Sequence, residues 1–279
     1  MSGWNLIIDV ARCSDCNNCV LADKDEYVGN AFPGYTAAHA LLGAPTLRLE
    51  RHVRGSGHMV DAAYVLRLCN HCDEAPCVAA GRGAVKKRAD GIVIVDPEAA
   101  KGRRDLVDAC PYGAIVWNAE ANLPQNWIFD AHLLDQGWKA PRCAHSCPTD
   151  AIRAVKVDDA EMRRLAEEKK LRVLRPELGT RPRVWYENLH RADSTFVGGS
   201  VVATVAGRTE LVEGVAVVLL HGGRELARAK TDAFGDFKFD GLIETAGDYR
   251  IEASAPGLGS ATRTAAAGTT VCLGEISLA

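Results

Sequence analysis

Hydrophobic and polar positions change their rhythm twice along these 279 residues. Up to residue 157 the apolar runs are short and strand-sized: Asn5 to Val10 (NLIIDV), Gly113 to Asn118 (GAIVWN) and Ala151 to Val157 (AIRAVKV). Gly83 to Arg88 and Ile92 to Val95 flank Asp90-Gly91, the favoured two-residue hairpin turn. Asp96-Pro97 then predicts a helix that runs into Cys110, with Asp96 as N-cap and Pro97 in the first helical position. Residues 158 to 194 are charged and helix-prone. There Asp158-x-x-Glu161 has the form of a capping box, and it predicts a helix through about Lys170 with Met162 and Leu165 on one side. From Phe196 onward strict alternation takes over: Val201, Ala203, Val205; Val215, Val217, Leu219; Phe234, Phe237, Phe239; Tyr249, Ile251. Glycine turns such as His221-Gly222-Gly223 and Ala246-Gly247-Asp248 recur between these runs, and together they predict a seven-strand sandwich.

The expected organisation is α+β. A cysteine-rich domain covers 1–157, a helical connector 158–194 and an all-β sandwich 195–279. Residues 24–68 form an insertion in the first domain, with Gly-rich turns and a basic stretch, Arg48 to Arg54, that is a candidate partner contact. CPYGAI at 110 and CPTDAI at 147 repeat one another and are each followed by a strand, as in a duplicated bacterial-ferredoxin-like half. TDAFGDFKFDGL and AGDYRIEASAPG resemble the transthyretin-like or carboxypeptidase-regulatory-like sandwich, an Ig-like architecture. Cys272, in its last strand, reads as a buried inert thiol.

Composition excludes several function classes. A net charge of −3 gives no electrostatic attraction to nucleic acid or an anionic membrane. The apolar runs fall far short of a membrane span, and MSGWNLIIDVARC has neither the basic nor the long apolar part of a secretory signal. A cytoplasmic protein is expected. No Ser/His/Asp or Cys/His nucleophile arrangement is legible, so the chain alone reads as non-catalytic. His71, His132 and His145 lie near cysteines and read as supporting neighbours.

The cysteines carry the chemistry. Cys13-x2-Cys16-x2-Cys19 and Cys69-x2-Cys72-x4-Cys77 are two trios, and Cys110-Pro111 and Cys147-Pro148 can each supply a fourth thiolate. Three close cysteines plus a distant Cys-Pro is the bacterial ferredoxin arrangement for a [4Fe–4S] cubane. A cubane has four iron corners, each needing one thiolate. Proline after the distant cysteine removes a backbone donor and turns the chain away. Zinc ribbons use pairs and not trios, such short spacings converge thiols instead of separating them into disulfides, and the C-x3-C-x2-C run of radical-generating clusters is absent.

CSDCNNC at 13, CNHCDEAPC at 69, DGIVIVDPEAAKG at 90, ACPYGAIVWN at 109, AHLLD at 131, PRCAHSCP at 141 and RPELGTRPRVWYENLHR at 175 extend the pattern over nearly the whole chain. With them the chain resembles the small iron–sulfur subunits of the pyrogallol–phloroglucinol transhydroxylase and resorcinol hydroxylase branch of the dimethyl-sulfoxide-reductase family of molybdenum enzymes. The resemblance implies one cluster on Cys13, Cys16, Cys19 and Cys147 and another on Cys69, Cys72, Cys77 and Cys110. It implies a large catalytic partner holding molybdenum and two pterin dinucleotides, with the first cluster nearer that cofactor and a phenolic ring as substrate. Where members with more clusters have further cysteines, this chain has Asp23, Trp127 and Asp130 beside Cys143, and Ala100, Arg103 and Leu106 with Gly81. Neither place is expected to hold a four-iron cluster. The rival functions are the electron-transfer subunit of another molybdenum oxidoreductase, and an interaction subunit whose clusters are structural.

Overall fold

Residues 2–243 and 245–279 are described by the computed structural model. The first strand, β1 (Gly3–Asp9), is buried along its whole length, as its run of apolar residues requires. It leads into the first cysteine loop and helix α1 (Asn18–Tyr27). The insertion continues as irregular chain and then a two-stranded sheet, β2 (Arg48–Ser56) with β3 (Met59–Arg67), so the basic stretch is a strand. The second cysteine loop follows, with α2 (Pro76–Gly81) and the hairpin of β4 (Val85–Lys87) and β5 (Val93–Val95). The turn is a three-residue loop and not the expected two-residue one. Arg88 N–H donates to the Ile92 carbonyl (2.8 Å), Gly91 N–H to the Arg88 carbonyl (3.0 Å), and Gly91 alone takes a positive φ (90°). Next come α3 (Asp105–Asp108), the hairpin of β6 (Ile115–Asn118) and β7 (Leu123–Asn126), and the short helices α4 (Ala131–Asp135) and α5 (Arg142–His145).

The helix expected from Asp96 to Cys110 is broken. Asp96 does cap a turn, accepting from the backbone N–H groups of Glu98 and Ala99 (both 3.1 Å). Gly102 then enters the left-handed region (φ 76°) and its N–H donates to the Asn122 carbonyl (2.8 Å), so only the four residues of α3 are helical. A glycine in that conformation ends helices.

β8 (Ile152–Val157), α6 (Asp159–Glu168) and β9 (Val184–Glu187) follow. β1 is the centre of a three-stranded sheet, antiparallel to β8 and parallel to β9, with Leu6 opposite Ala154 on one side and Val184 on the other. Asp158 caps α6 as its sequence predicts, accepting from Ala160 and Glu161 N–H. Met162 of α6 packs against Ile7 and Leu171.

The remainder is α7 (His190–Asp193) and eight strands: β10 (Thr195–Val205), β11 (Arg208–Leu211), β12 (Ala216–His221), β13 (Arg224–Lys230), β14 (Asp236–Leu242), β15 (Asp248–Ala255), β16 (Gly259–Ala266) and β17 (Val271–Ser277). One sheet has the order β11-β10-β14, with β17 also paired to β10; the other has the order β13-β12-β15-β16. Their inner faces share one apolar core that includes Val201, Val217, Leu219, Phe237, Phe239, Tyr249 and Ile251. Val205 and Phe234 depart from the alternation read in the sequence: both are exposed, Val205 at the end of its strand and Phe234 in the turn before β14. Cys272 is half-buried instead of fully enclosed. Contacts gather the chain into two compact units, Met1–Arg51 with Tyr64–Leu189, and His52–Ala63 with His190–Ala279. Among the described residues no helix is long and apolar enough to cross a membrane.

Candidate metal centres

Each cysteine trio sits on a loop bent by residues in left-handed backbone conformations. Between Cys13 and Cys19 these are Asp15 (φ 59°) and Asn17 (φ 60°), and Asn17 Nδ2 donates to the Asp15 carbonyl (2.9 Å). Short polar side chains of this kind tolerate that region best. The loop curls so that Cys13 and Cys16 face the same space as Cys19, at the start of α1. The fourth cysteine arrives 128 residues further on. Asn18 Nδ2 donates to the Ser146 carbonyl (3.5 Å) and the Ser146 hydroxyl donates to the Asn18 carbonyl (3.3 Å), which pins the Cys147-Pro148 turn beside α1. Cys13, Cys16, Cys19 and Cys147 line one cavity, walled by Ile8, Leu49, Leu66 and Ile152. Cys19 is buried and Cys16 exposed, so this cavity lies near the surface.

The second trio follows the same plan. His71 takes the left-handed conformation (φ 46°) between Cys69 and Cys72, and Pro76 opens α2, which carries Cys77. After α3 the chain turns at Cys110-Pro111, closed by Gly113 N–H donating to the Cys110 carbonyl (3.0 Å), while Ala114 N–H donates to Cys110 Sγ (3.4 Å). Cys69, Cys72, Cys77 and Cys110 line a second cavity, with Val93, Val95 and Ile115 in its wall. Cys69, Cys72 and Cys77 are buried. The eight cysteines singled out in the sequence thus fall four to a cavity.

Both cavities oppose ionised sulfur. Burial pushes the Cys19 thiol up to about 12, and neighbouring sulfurs Cys13, Cys16 and Cys147 add to the shift. Burial and the Cys110 sulfur push Cys77 up to about 11, and the same two causes raise Cys69 and Cys72. Four thiolates in such a space need a cationic core between them. Four sulfurs around each apolar space fit a polynuclear iron–sulfur group, for which soft thiolate ligands are selective.

The comparisons agree in kind. The family described as "4Fe-4S dicluster domain" matches residues 60–157, and "Carboxypeptidase regulatory-like domain" matches residues 197–278. The pyrogallol hydroxytransferase small subunit of Pelobacter acidigallici is 44% identical over 92% of this chain and 92% of its own length. A tetrathionate reductase subunit of Salmonella typhimurium is 33% identical, covering 70% of this chain and 74% of its own. The arsenate respiratory reductase iron–sulfur subunit of a Shewanella strain is 28% identical over 65% and 94%. The chain belongs to the family of iron–sulfur subunits of molybdenum oxidoreductases.

Two further groups of residues stand where the resemblance leaves no cluster expected. Asp23, Trp127, Asp130 and Cys143 are all buried. Asp130 accepts from the Tyr27 hydroxyl and from Arg142 N–H (2.6 Å), and Asp23 accepts from the Thr46 hydroxyl (2.7 Å). Burial and the Asp130 carboxyl push Asp23 up to about 7, and burial with Asp130, Cys19 and Asp23 nearby raises Cys143 well above an ordinary thiol. The Trp127 ring stacks on Phe129 (4.8 Å between centroids) and touches His71 (5.4 Å). At the other place Ala100 and Leu106 pack with Cys77 and Val85 in an apolar core. A Cβ on Gly81 would lie 2.8 Å from Val85 Cβ, and Arg103 donates to the Ala80 (3.0 Å) and Gly81 (3.4 Å) carbonyls.

Three supporting residues carried no signal in the sequence. Asn126, in β7, donates to the Val93 carbonyl (2.9 Å), accepts from Val95 N–H (3.2 Å) and lowers the Cys69 thiol through a hydrogen bond. Thr180 does the same for Cys72 and pairs with the Tyr112 hydroxyl (2.6 Å). Lys87 Nζ donates to the carbonyls of His71, Cys72 and Gly91 (2.9 Å each) and pairs with Asp73 (3.0 Å). Of the three histidines near the cysteines, His71 accepts from Val93 N–H (3.0 Å), His132 pairs with Glu26 (2.7 Å) and His145 lies against Trp138 (5.3 Å).

Proposed function

We propose that Cys13, Cys16, Cys19 and Cys147 hold one [4Fe–4S] cluster and that Cys69, Cys72, Cys77 and Cys110 hold a second. The observation that carries this is the division of eight thiols into two apolar, four-sulfur cavities. When bound, such a cluster accepts and releases one electron at a time. The chain's own residues hold the sulfurs, exclude water from them and donate hydrogen bonds to them, which sets potential in iron–sulfur proteins. Duplication of a ferredoxin half supports the reading, since Cys110-Pro111 and Cys147-Pro148 each close a cavity and are each followed by a strand, β6 and β8.

The chain is, on this reading, the electron-transfer subunit of a cytoplasmic complex. Its partner is a large catalytic subunit carrying a molybdenum bis-pterin cofactor, and the complex hydroxylates or transhydroxylates polyhydroxylated aromatics such as pyrogallol or resorcinol. The similarity to a pyrogallol hydroxytransferase small subunit over 92% of the chain supports the substrate class. Exposure of Cys16 supports the first quartet as the one that faces the partner's cofactor, and cysteines committed to metal suit a reducing compartment.

The test is anaerobic purification of the complex, with iron analysis, EPR after dithionite and assay on both phenols. About eight irons per chain are expected, from four per cubane, with two reduced-state signals and turnover of pyrogallol or resorcinol. A colourless protein holding zinc ends the cluster assignment. Turnover of an oxyanion in place of a phenol moves the complex to another branch of the family.

A further inference from the structure

We propose that Lys87 raises the potential of the cluster on Cys69, Cys72, Cys77 and Cys110 above that of the cluster on the first quartet, making the inner site the electron sink of the pair. This rests on the reading that both quartets hold clusters. Lys87 lies in β4, and its ammonium is fixed behind the second cysteine loop by the carbonyls of His71, Cys72 and Gly91, each at 2.9 Å. Its counterion is shared: Asp73 pairs with Lys87 (3.0 Å), with Arg183 (2.6 Å) and more distantly with Arg181 (4.0 Å). One carboxylate thus faces three cations, and Lys87 is the one bonded to the backbone of Cys72 itself. Arg183 and Arg181 have second partners in Asp159 (3.2 Å) and Glu74 (3.3 Å), whereas Lys87 otherwise meets only carbonyls. A fixed charge in a low-dielectric interior acts far more strongly than one in water. Reduction makes a cluster more negative, so a nearby cation favours the reduced form.

The first quartet has the opposite surroundings. Asp15 sits inside its loop, between Cys13 and Cys16, and its carboxylate accepts from the Asn17 amide (3.4 Å). Arg142, next to Cys143, is held by two carboxylates, Asp25 (2.6 Å) and Glu26 (2.5 Å). Arg12 is exposed and paired with the still more exposed Asp150 (3.8 Å). An electron arriving through the Cys16 face therefore falls toward the second quartet.

EPR-monitored redox titration of the anaerobic complex tests this, with the two signals assigned by a Cys110→Ser variant that alters only the second. The second cluster is expected to titrate at the higher potential. Lys87→Met should lower it by at least a tenfold change in the reduced-to-oxidised ratio, about 59 mV for one electron, and leave the first cluster unmoved. Lys87→Arg keeps the charge and should restore it, and Asp73→Asn should raise it. If Lys87→Met loses iron, Asp73→Asn decides alone. An unmoved second potential in Asp73→Asn, equal shifts in both clusters, or a wild-type second cluster at the lower potential overturns the inference. Wild-type iron near four per chain instead overturns the two-cluster reading.

Discussion

Asp23 is a carboxyl group held where water does not reach, with one oxygen bonded to Thr46 and the other, Oδ1, without a partner. Burial and the neighbouring Asp130 lift it from an ordinary 3.8 to about 7. The folded protein therefore binds this proton more tightly than the unfolded chain does. Its stabilising contribution is full below about pH 4 and is lost as pH rises through 7. The span between the two values corresponds to an effect on the order of 4 kcal/mol, at 1.36 kcal/mol per pH unit. Thermal melts of the anaerobic complex from pH 5 to 8 should show a falling midpoint in the wild type and a flatter profile in Asp23→Asn. Equal slopes in the two proteins would show that Asp23 does not titrate there. At this scale the cysteines were legible because a trio followed by Cys-Pro is a local string. Lys87, Asn126 and Thr180 were not, because a hydrogen bond to a loop carbonyl or a sulfur leaves no periodic mark.

Elements were legible where one local rule acted alone. The cap at Asp158, the glycine that turns β4 into β5 and the alternation in β12 and β15 each depend on neighbours within a few residues. The helix expected after Asp96 failed where a contact from elsewhere won, the Asn122 carbonyl drawing Gly102 out of helical geometry. Phe234 misled for a similar reason, since a phenylalanine next to a glycine turn can follow the period and still point to solvent. The same logic separates residues of α6. Met162 is 2% exposed and lies against Ile7 of β1, whereas Leu165 is half-buried. Met162→Ala should cost about 2–4 kcal/mol from lost contacts and a residual cavity, and Leu165→Ala clearly less. Urea denaturation of the anaerobic complex, followed by bleaching of the clusters, measures both. A smaller loss at Met162 than at Leu165 would mean that α6 is not anchored through Met162.

The two compact units are stabilised by different means. The second has a continuous apolar core between two four-stranded sheets, with Val217, Leu219 and Ile251 almost completely enclosed. That is ordinary hydrophobic burial, and it asks nothing of a metal. In the first unit the two cysteine loops and the Cys-Pro turns close around two sulfur-lined cavities, beside smaller apolar clusters. Emptied of metal, each cavity leaves four sulfurs around unfilled apolar walls, and loss of binding free energy becomes loss of folding free energy. Iron removal with a chelator under oxidation should therefore unfold the chain unevenly. Hydrogen exchange followed by mass spectrometry should show residues 13–19, 69–77 and 110–118 exchanging at least about tenfold faster, as local opening free energies fall. Amides of β12 and β15 should keep their protection, because their hydrogen-bond partners and core lie wholly within the sandwich. Uniform loss of protection across β12 and β15 would instead make the sandwich dependent on the metal centres, a coupling its own core does not require.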